Sequence, residues 1–300
     1  MKIVYWNIKA KDKCKSTYNS LVIKEIEKLF NEDQCDLLIL SECTALSFSE
    51  LKINPPKSIS YIDPDHLEKT KFNIRILHNE KIKISHSYNA IFNDIKRKNK
   101  GSTKLTGNII KTGILMHVSE NEIIENPVTI IASHWTYKGN PTHENVHKKA
   151  AQDLKEIADN EITEGRPVIL IGDYNRTTEE MKNNTCLDIS MNKFYVEIDY
   201  YRFYDLSHYF YTQHSSYELE GDNNGFGTFT SSKTRTNENS CSVIDHVYVS
   251  SSLVSQGCWT LDEDKTKAIF NAGISNLMYN VKDGIDHLPI SLEINHEDRI

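Results

Sequence analysis

Val168-Ile169-Leu170-Ile171-Gly172-Asp173-Tyr174-Asn175 reads as a strand that ends in chemistry. Its apolar part is short and rich in β-branched residues, which suits a strand covered on both faces, and it stops at Asp173 and Asn175. The same layout recurs elsewhere: Val4-Tyr5-Trp6 stops at Asn7, Leu37 to Leu40 at Glu42, and Ile130-Ile131-Ala132 at His134. In sheet proteins the carboxyl ends of buried strands are where sites are built, because rigid backbone fixes the polar groups while loops admit ligand. One such strand end is ordinarily just solvated. Several, each ending in a residue able to meet a metal or a phosphate, point to convergence.

Further short runs at Ile74 to Leu77, Ile109 to Val118, Val243 to Val249 and Leu288 to Ile294 extend the strand count. Helical spacing intervenes twice. Leu21, Val22, Ile26, Leu29 and Phe30 share a face between Thr17 and Phe30, after a cap candidate at Ser16 or Thr17. Val146, Ala150, Leu154, Ile157 and Ala158 share one between Pro141 and Ile162, with Pro141 in a permissible first turn. Strands mixed with helices make the class α/β or α+β. The absence of repeats, Pro/Ser/Gly-rich linkers and charge blocks predicts one domain over residues 1–300.

The 35 Lys and Arg against 42 Asp and Glu give a net charge of −7, which excludes a protein held on nucleic acid by bulk electrostatics. Any polyanion must be met locally. With 38% hydrophobic residues over 300 positions a real core is affordable, and wholesale disorder is excluded. No apolar run reaches the ~18 residues of a bilayer span, and Met1 to Ile8 lacks the layout of a signal peptide. Cys14, Cys35, Cys43, Cys186, Cys241 and Cys258 have no C-x-x-C spacing, so reduced thiols and a cytoplasmic location are expected, without stable membrane association.

Asp245 shares a strand face with Val243, Val247 and Val249, a face that reads as buried. An unpaired charge there costs several kcal/mol or more, so Asp245 needs a partner. A Lys or Arg would serve, and so would His287, which with Asp286 immediately precedes Leu288-Pro289-Ile290.

Taken in order, these segments resemble the endonuclease/exonuclease/phosphatase superfamily, the fold of deoxyribonuclease I. Ile3 to Ile8 resembles its opening Trp-Asn strand, Asp36 to Glu42 the strand ending in a metal-binding Glu, and Thr129 to His134 the strand delivering a catalytic His. Pro167 to Asn175 resembles the Gly-Asp-x-Asn segment, and Gly227-Thr228-Phe229-Thr230 followed by Ile244-Asp245 the Thr-Phe-Thr and Ile-Asp pair. Gly284-Ile285-Asp286-His287-Leu288-Pro289 resembles the closing Asp-His-Leu-Pro. The resemblance implies a four-layer sandwich of two mixed β-sheets flanked by helices. It further implies a divalent ion held by Glu42 with Asn7 and Asp286, and Mg²⁺ or Mn²⁺ suits such hard oxygen ligands. Asp173 would orient or deprotonate water, Asn175 would donate to a phosphate oxygen, and His287, held by Asp245, would contact the scissile phosphate together with His134. Two features depart from the pattern. Val243 stands where many relatives place an Arg, and no residue around Glu68 to His78 matches the one that would brace His134.

Other signals set the substrate expectation. Lys96, Arg97, Lys98, Lys100 and Lys104 crowd a loop-like stretch with Gly101, Lys233 and Arg235 form a second basic segment, and Arg176 follows Asn175 directly. The first stretch could equally be a solvated basic loop and Arg176 either a phosphate contact or a solvated surface arginine, but the two segments together favour an extended anionic substrate. Tyr195, Tyr200, Tyr201, Phe203, Tyr204, Tyr209, Phe210, Tyr211 and Tyr217 could stack bases, although packing accounts for most of them. His143-Glu144-Asn145-Val146-His147 matches the H-E-x-x-H zinc motif, which would make the chain a zinc peptidase. The reading adopted is a Mg²⁺-dependent phosphodiesterase acting on nucleic acid, DNA before RNA, by direct water attack. A phosphoinositide phosphatase or sphingomyelinase-like phosphodiesterase is the main alternative, and an inactive binding module of the same fold a remote one.

Overall fold

A computed structural model describes residues 1–10, 16–43, 60–62, 74–88, 94–98, 105–109, 113–120, 126–135, 141–212, 227–230, 241–255, 257–280 and 284–296. Its strands, in chain order, are β1 (Lys2–Asn7), β2 (Leu37–Ser41), β3 (Ser60–Ile62), β4 (Ile74–His78), β5 (Ile82–Tyr88), β6 (Asp94–Lys98), β7 (Leu105–Ile109), β8 (Gly113–Glu120) and β9 (Val128–His134). They continue as β10 (Val168–Asp173), β11 (Ile189–Ser190), β12 (Phe203–Asp205), β13 (Phe229–Thr230), β14 (Cys241–Ser242), β15 (Asp245–Ser250), β16 (Trp259–Ala268) and β17 (Ile290–His296). One six-stranded sheet has the order β16-β17-β1-β2-β4-β3, and one seven-stranded sheet the order β11-β12-β15-β10-β9-β8-β5. Both sheets are mixed. β1 runs parallel to β2 and antiparallel to β17, and β10 runs parallel to β9 and antiparallel to β15.

Alternation along the central strands builds two cores. Ile130, Ala132, Ile169, Ile171, Val247 and Val249 point between the sheets and share one core with the buried residues of β1 and β2, whose side chains alternate between this core and the opposite face of their sheet. Ile131, Val168, Leu170 and Tyr248 point the other way, onto Ala150, Leu154 and Ala158 of helix α2 (Pro141–Thr163). That double burial explains the unbroken apolar runs. On the other side of the molecule helix α1 (Ser16–Asn31) presents Val22, Ile26, Leu29 and Phe30 to the six-stranded sheet. The expected helices match these two closely. Among the described residues no helix is long and apolar enough to cross a membrane, and Cys35, Cys43, Cys186 and Cys258 are free thiols.

Two expectations need correction. The run Ile109 to Val118 is divided between β7, which ends at Ile109, and β8, which starts at Gly113. The basic stretch read as loop is strand at Asp94–Lys98, paired with Leu105–Ile109 in a separate ribbon, because backbone pairing can carry a polar strand at a solvated edge.

Candidate active site

Sheet polarity brings the polar strand ends to one mouth. Asn7 and Glu42 lie at the carboxyl ends of the parallel pair β1 and β2, and His134 and Asp173 at the carboxyl ends of β9 and β10. Asp245 opens the antiparallel strand β15, and Asp286-His287 leads into the antiparallel strand β17. In register, Asp173 faces His134 on one side and Asp245 on the other, so three neighbouring strands deliver one row of functional groups. β1 packs against β10 across the inter-sheet core and closes the two rows onto each other. Within the seven-stranded sheet Gly172 lets β10 lie close to β9, because a Cβ there would run into the Ser133 backbone.

Asp173 is the hub. It is 1% exposed, and its Oδ2 accepts from Asn7 Nδ2 at 3.1 Å while its Oδ1 accepts from the Asn175 backbone N–H at 2.9 Å. His134 Nε2 and His287 Nε2 each lie 3.7 Å from that same Oδ2. His134 Nε2 is also 3.6 Å from Glu42 Oε1. These spacings exceed hydrogen-bond length, so the imidazoles line a gap beside the carboxylate. Burial first, and the Asp245 charge after it, push the Asp173 carboxyl up to about 7 against the opposing pull of His287.

His287 is fixed on every side. Its Nδ1–H donates to both Asp245 oxygens, at 2.9 and 3.1 Å, its backbone carbonyl accepts from Trp6 Nε1 at 3.2 Å, and the Phe229 ring lies 4.8 Å from its own. Burial alone would lower this imidazole, but Asp245 and then Asp173 outweigh it and hold it well above the usual histidine range. Asp245 is held in turn, since its backbone N–H donates to Thr228 Oγ1 at 3.2 Å. One ligand atom each from Asp173, Asp245 and His287 lie within 4.8 Å of one another, a spacing that admits an ion. The Nδ1–H bond to Asp245 nonetheless makes this trio a proton-sharing cluster first.

Backbone strain gathers here as well. Among the described non-glycine residues, Lys9, Glu42 and Asn175 have φ of 50, 52 and 52°, and the fourth with positive φ is Gln34. The left-handed region costs such residues roughly 1–2 kcal/mol each. At Glu42 that turn at the end of β2 brings the carboxylate towards His134 rather than along the strand.

The structure thus gathers Asn7, Glu42, His134, Asp173, Asn175, Asp245, Asp286 and His287, with some bonds other than those expected. Asn7 directs its amide to Asp173 and accepts from the Lys9 N–H at 3.1 Å, and Asn175 Nδ2 donates to the Trp135 carbonyl at 2.7 Å. Arg176 is turned away from the mouth. It is 3% exposed, with Nε donating to His147 Nδ1 at 2.7 Å and its guanidinium on Glu144 Oε2 at 2.5 Å, so it is neither a solvated arginine nor placed to meet a phosphate. The same bonds give Glu144 and His147 of the zinc-like motif a structural partner, while the His143 side chain lies outside the described residues. Lys96, Arg97 and Lys98 lie on β6, with side chains outside the described set, as are Lys100, Lys104, Lys233 and Arg235 altogether. Phe203, Tyr204 and Phe210 are buried, as the packing view expects. Tyr200 and Tyr201 are exposed, but they bond to Ile162 and Thr163 at the end of α2 that precedes β10, opposite Asp173, and so stack nothing at the mouth. The Tyr211 and Tyr217 side chains lie outside the described residues.

Sequence reasoning missed Lys9, whose Nζ donates to Asp286 Oδ2 at 2.6 Å, and gave no role to Thr228, Phe229 or Trp6 in bracing the Asp245–His287 pair. A lysine two residues past a strand end carries no signal of its own. Thr228 and Phe229 were visible as a motif, but their partners are remote in sequence.

No curated protein sequence matches the chain. Among solved structures, an endonuclease/exonuclease/phosphatase from Bacteroides vulgatus superposes with a TM-score of 0.60 at 13% identity, covering 99% of this chain and 98% of that one. D. rerio TDP2 complexed with single-strand DNA product gives 0.55 at 14% identity over 98% of each chain. A Bacteroides thetaiotaomicron mannosyl-6-phosphatase gives 0.52 at 14% identity over 98% of this chain and 99% of that one. The sequence profile of the Endonuclease/Exonuclease/phosphatase family matches residues 4–265. With its two mixed sheets and the convergence of strand ends on Asp173, the chain belongs to the endonuclease/exonuclease/phosphatase family.

Proposed function

We propose that this chain is a single-domain, divalent-metal-dependent phosphodiesterase that hydrolyses nucleic acid, DNA before RNA, by in-line attack of water. The observation that carries the reading is Asp173 Oδ2 lying 3.7 Å from both imidazole Nε2 atoms, in a mouth that also holds Glu42, Asp245 and Asp286. The donors fit a hard ion: carboxylate and amide oxygens dominate the mouth, and its negative charge exceeds its positive. Glu42 would hold the ion, with Asp286 and Asn7 as the further candidates. When bound, Mg²⁺ or Mn²⁺ supplies charge neutralisation at the phosphate oxygens and at the leaving oxygen.

The chain's own residues account for the rest. A carboxyl raised towards neutrality is matched to accepting a proton from water, which is the part assigned to Asp173. Asn7 Nδ2 and the Asn175 N–H hold it in place. His287, kept protonated by Asp245, donates through Nε2 to a phosphate oxygen, and His134 Nε2 faces the same gap from the Glu42 side. The basic segments at Lys96 to Lys104 and Lys233 to Arg235 favour a polyanion, and a relative of this fold is named with single-strand DNA product.

Purified protein with Mg²⁺ is expected to cut plasmid and single-stranded DNA and to lose this in EDTA. Intact DNA and RNA at high enzyme concentration would overturn the substrate assignment. Release of phosphate or headgroup from phosphoinositide or sphingomyelin liposomes would then favour the lipid reading, and the naming of one relative as a phosphatase makes phosphomonoesters a necessary arm of the panel.

A further inference from the structure

Lys9 occupies an unusual position at the mouth. Its backbone lies in the left-handed region, at φ 50°, and its N–H donates to Asn7 Oδ1 at 3.1 Å, which turns the chain back at the end of β1. Its ammonium thereby returns to the mouth and donates to Asp286 Oδ2 at 2.6 Å. The other Asp286 oxygen, Oδ1, lies 3.9 Å from His287 Nε2. The Lys9 and Asp286 side chains are only 28% and 15% exposed, so this pair is screened less than a surface pair. Of the three residues assigned above to a divalent ion, Asn7 and Asp286 therefore each have an oxygen engaged by Lys9, one through its backbone and one through its ammonium. Glu42 stands against His134, with Oε1 3.6 Å from Nε2.

We propose that Lys9 is a built-in cation that occupies the Asp286 end of the mouth, so that the centre takes one divalent ion, at Glu42, and no second. This rests on the metal-dependent reading above and adds the number and place of the ion. A fixed ammonium gives Asp286 its counter-charge without recruiting an ion from solution. It would also leave a monovalent donor at the Asp286 end of the mouth.

Counting Mn²⁺ by titration, with free ion followed by its paramagnetic resonance signal, tests this without any substrate. Wild-type protein is expected to bind one Mn²⁺ and Lys9→Arg also one. Lys9→Met is expected to bind two, and Lys9→Met combined with Asp286→Asn to return to one, which locates the added ion. Lys9→Gln serves in place of Lys9→Met if the latter does not fold with a wild-type circular dichroism spectrum. Two ions on the wild type, or a single ion on both Lys9→Met and Lys9→Gln, would overturn the proposal while leaving the metal-dependent reading intact. A wild type that binds no Mn²⁺ would remove both. Failure to cleave DNA bears on the substrate alone and leaves the ion count standing.

Discussion

Replacing Asp173 by Asn separates the demands of folding from those of chemistry at a single atom. The amide has the shape of the carboxylate, and its oxygen can still accept from Asn7 Nδ2 or from the Asn175 N–H. What changes is charge. The carboxyl is raised from 3.8 to about 7 by burial and by the Asp245 charge, so it titrates higher in the folded chain than in the unfolded one. Stability contributed by this group therefore falls as pH rises from about 4 to about 7, and above that window its ionisation opposes folding by a ceiling of about 4 kcal/mol. Relaxation and water entry reduce this, and a net gain of about 1–2 kcal/mol for the Asn variant is the expectation, or several degrees in Tm. In EDTA at pH 8, Asp173→Asn should melt above the wild type. As pH falls through and below 3.8 the difference should shrink towards zero, because the wild-type carboxyl then becomes neutral in the unfolded chain as well as in the folded one. Cleavage with Mg²⁺ should meanwhile fall by roughly 10²–10⁴. A variant that melts below the wild type at pH 8, or a stability difference that does not change with pH, would refute the view of Asp173 as a charge held in an unfavourable place for catalysis.

Thr228→Val removes the acceptor for the Asp245 N–H, should cost about 1–3 kcal/mol in denaturant melts, and should lower kcat with little change in KM, because Asp245 then no longer holds His287 in place. Arg176→Met should cost a similar ~1–3 kcal/mol by stranding buried His147 Nδ1, while KM for DNA stays within about twofold of wild type. A large rise in KM would instead restore the phosphate role. Glu161 accepts from Arg166, Thr129 and His117, and although burial works to raise its carboxyl, those bonds bring it below the ordinary value. Its stabilisation is therefore present above the unfolded value near 4.5 and lost as pH falls through the lower folded one. Glu161→Gln should thus lower Tm at pH 7, with a deficit that shrinks as pH falls below 4.5.

Much of the fold was legible because burial on both faces of a central strand leaves an unmistakable composition, as in Val168 to Ile171 or Val128 to Ala132. The edges were not. β16 runs Trp259–Ala268 through Asp262, Glu263, Asp264 and Lys265 with a register shift in its pairing, and β5 likewise shifts between Ile84 and His86. Edge strands carry charges and bulges that discourage further pairing, and this erases the apolar signature by which a strand is recognised. At the site, residue types at strand ends were readable, whereas partners were not. Arg176 stood beside Asn175 in sequence, yet the turn it occupies sends it to His147 and Glu144 on α2.

The order of residues alone determined which strands are central, that Asp173, His134, Glu42 and Asn7 terminate them, and that Asp245 on a buried face must have a partner, since each follows from local composition and the cost of burying charge. Tertiary structure decided that the partner is His287, that two imidazoles flank one Asp173 oxygen, and that Lys9 rather than solvent neutralises Asp286. Those outcomes depend on strand register and on the packing of one sheet across another, which are properties of contacts between residues as far as 281 positions apart, and no local pattern carries them.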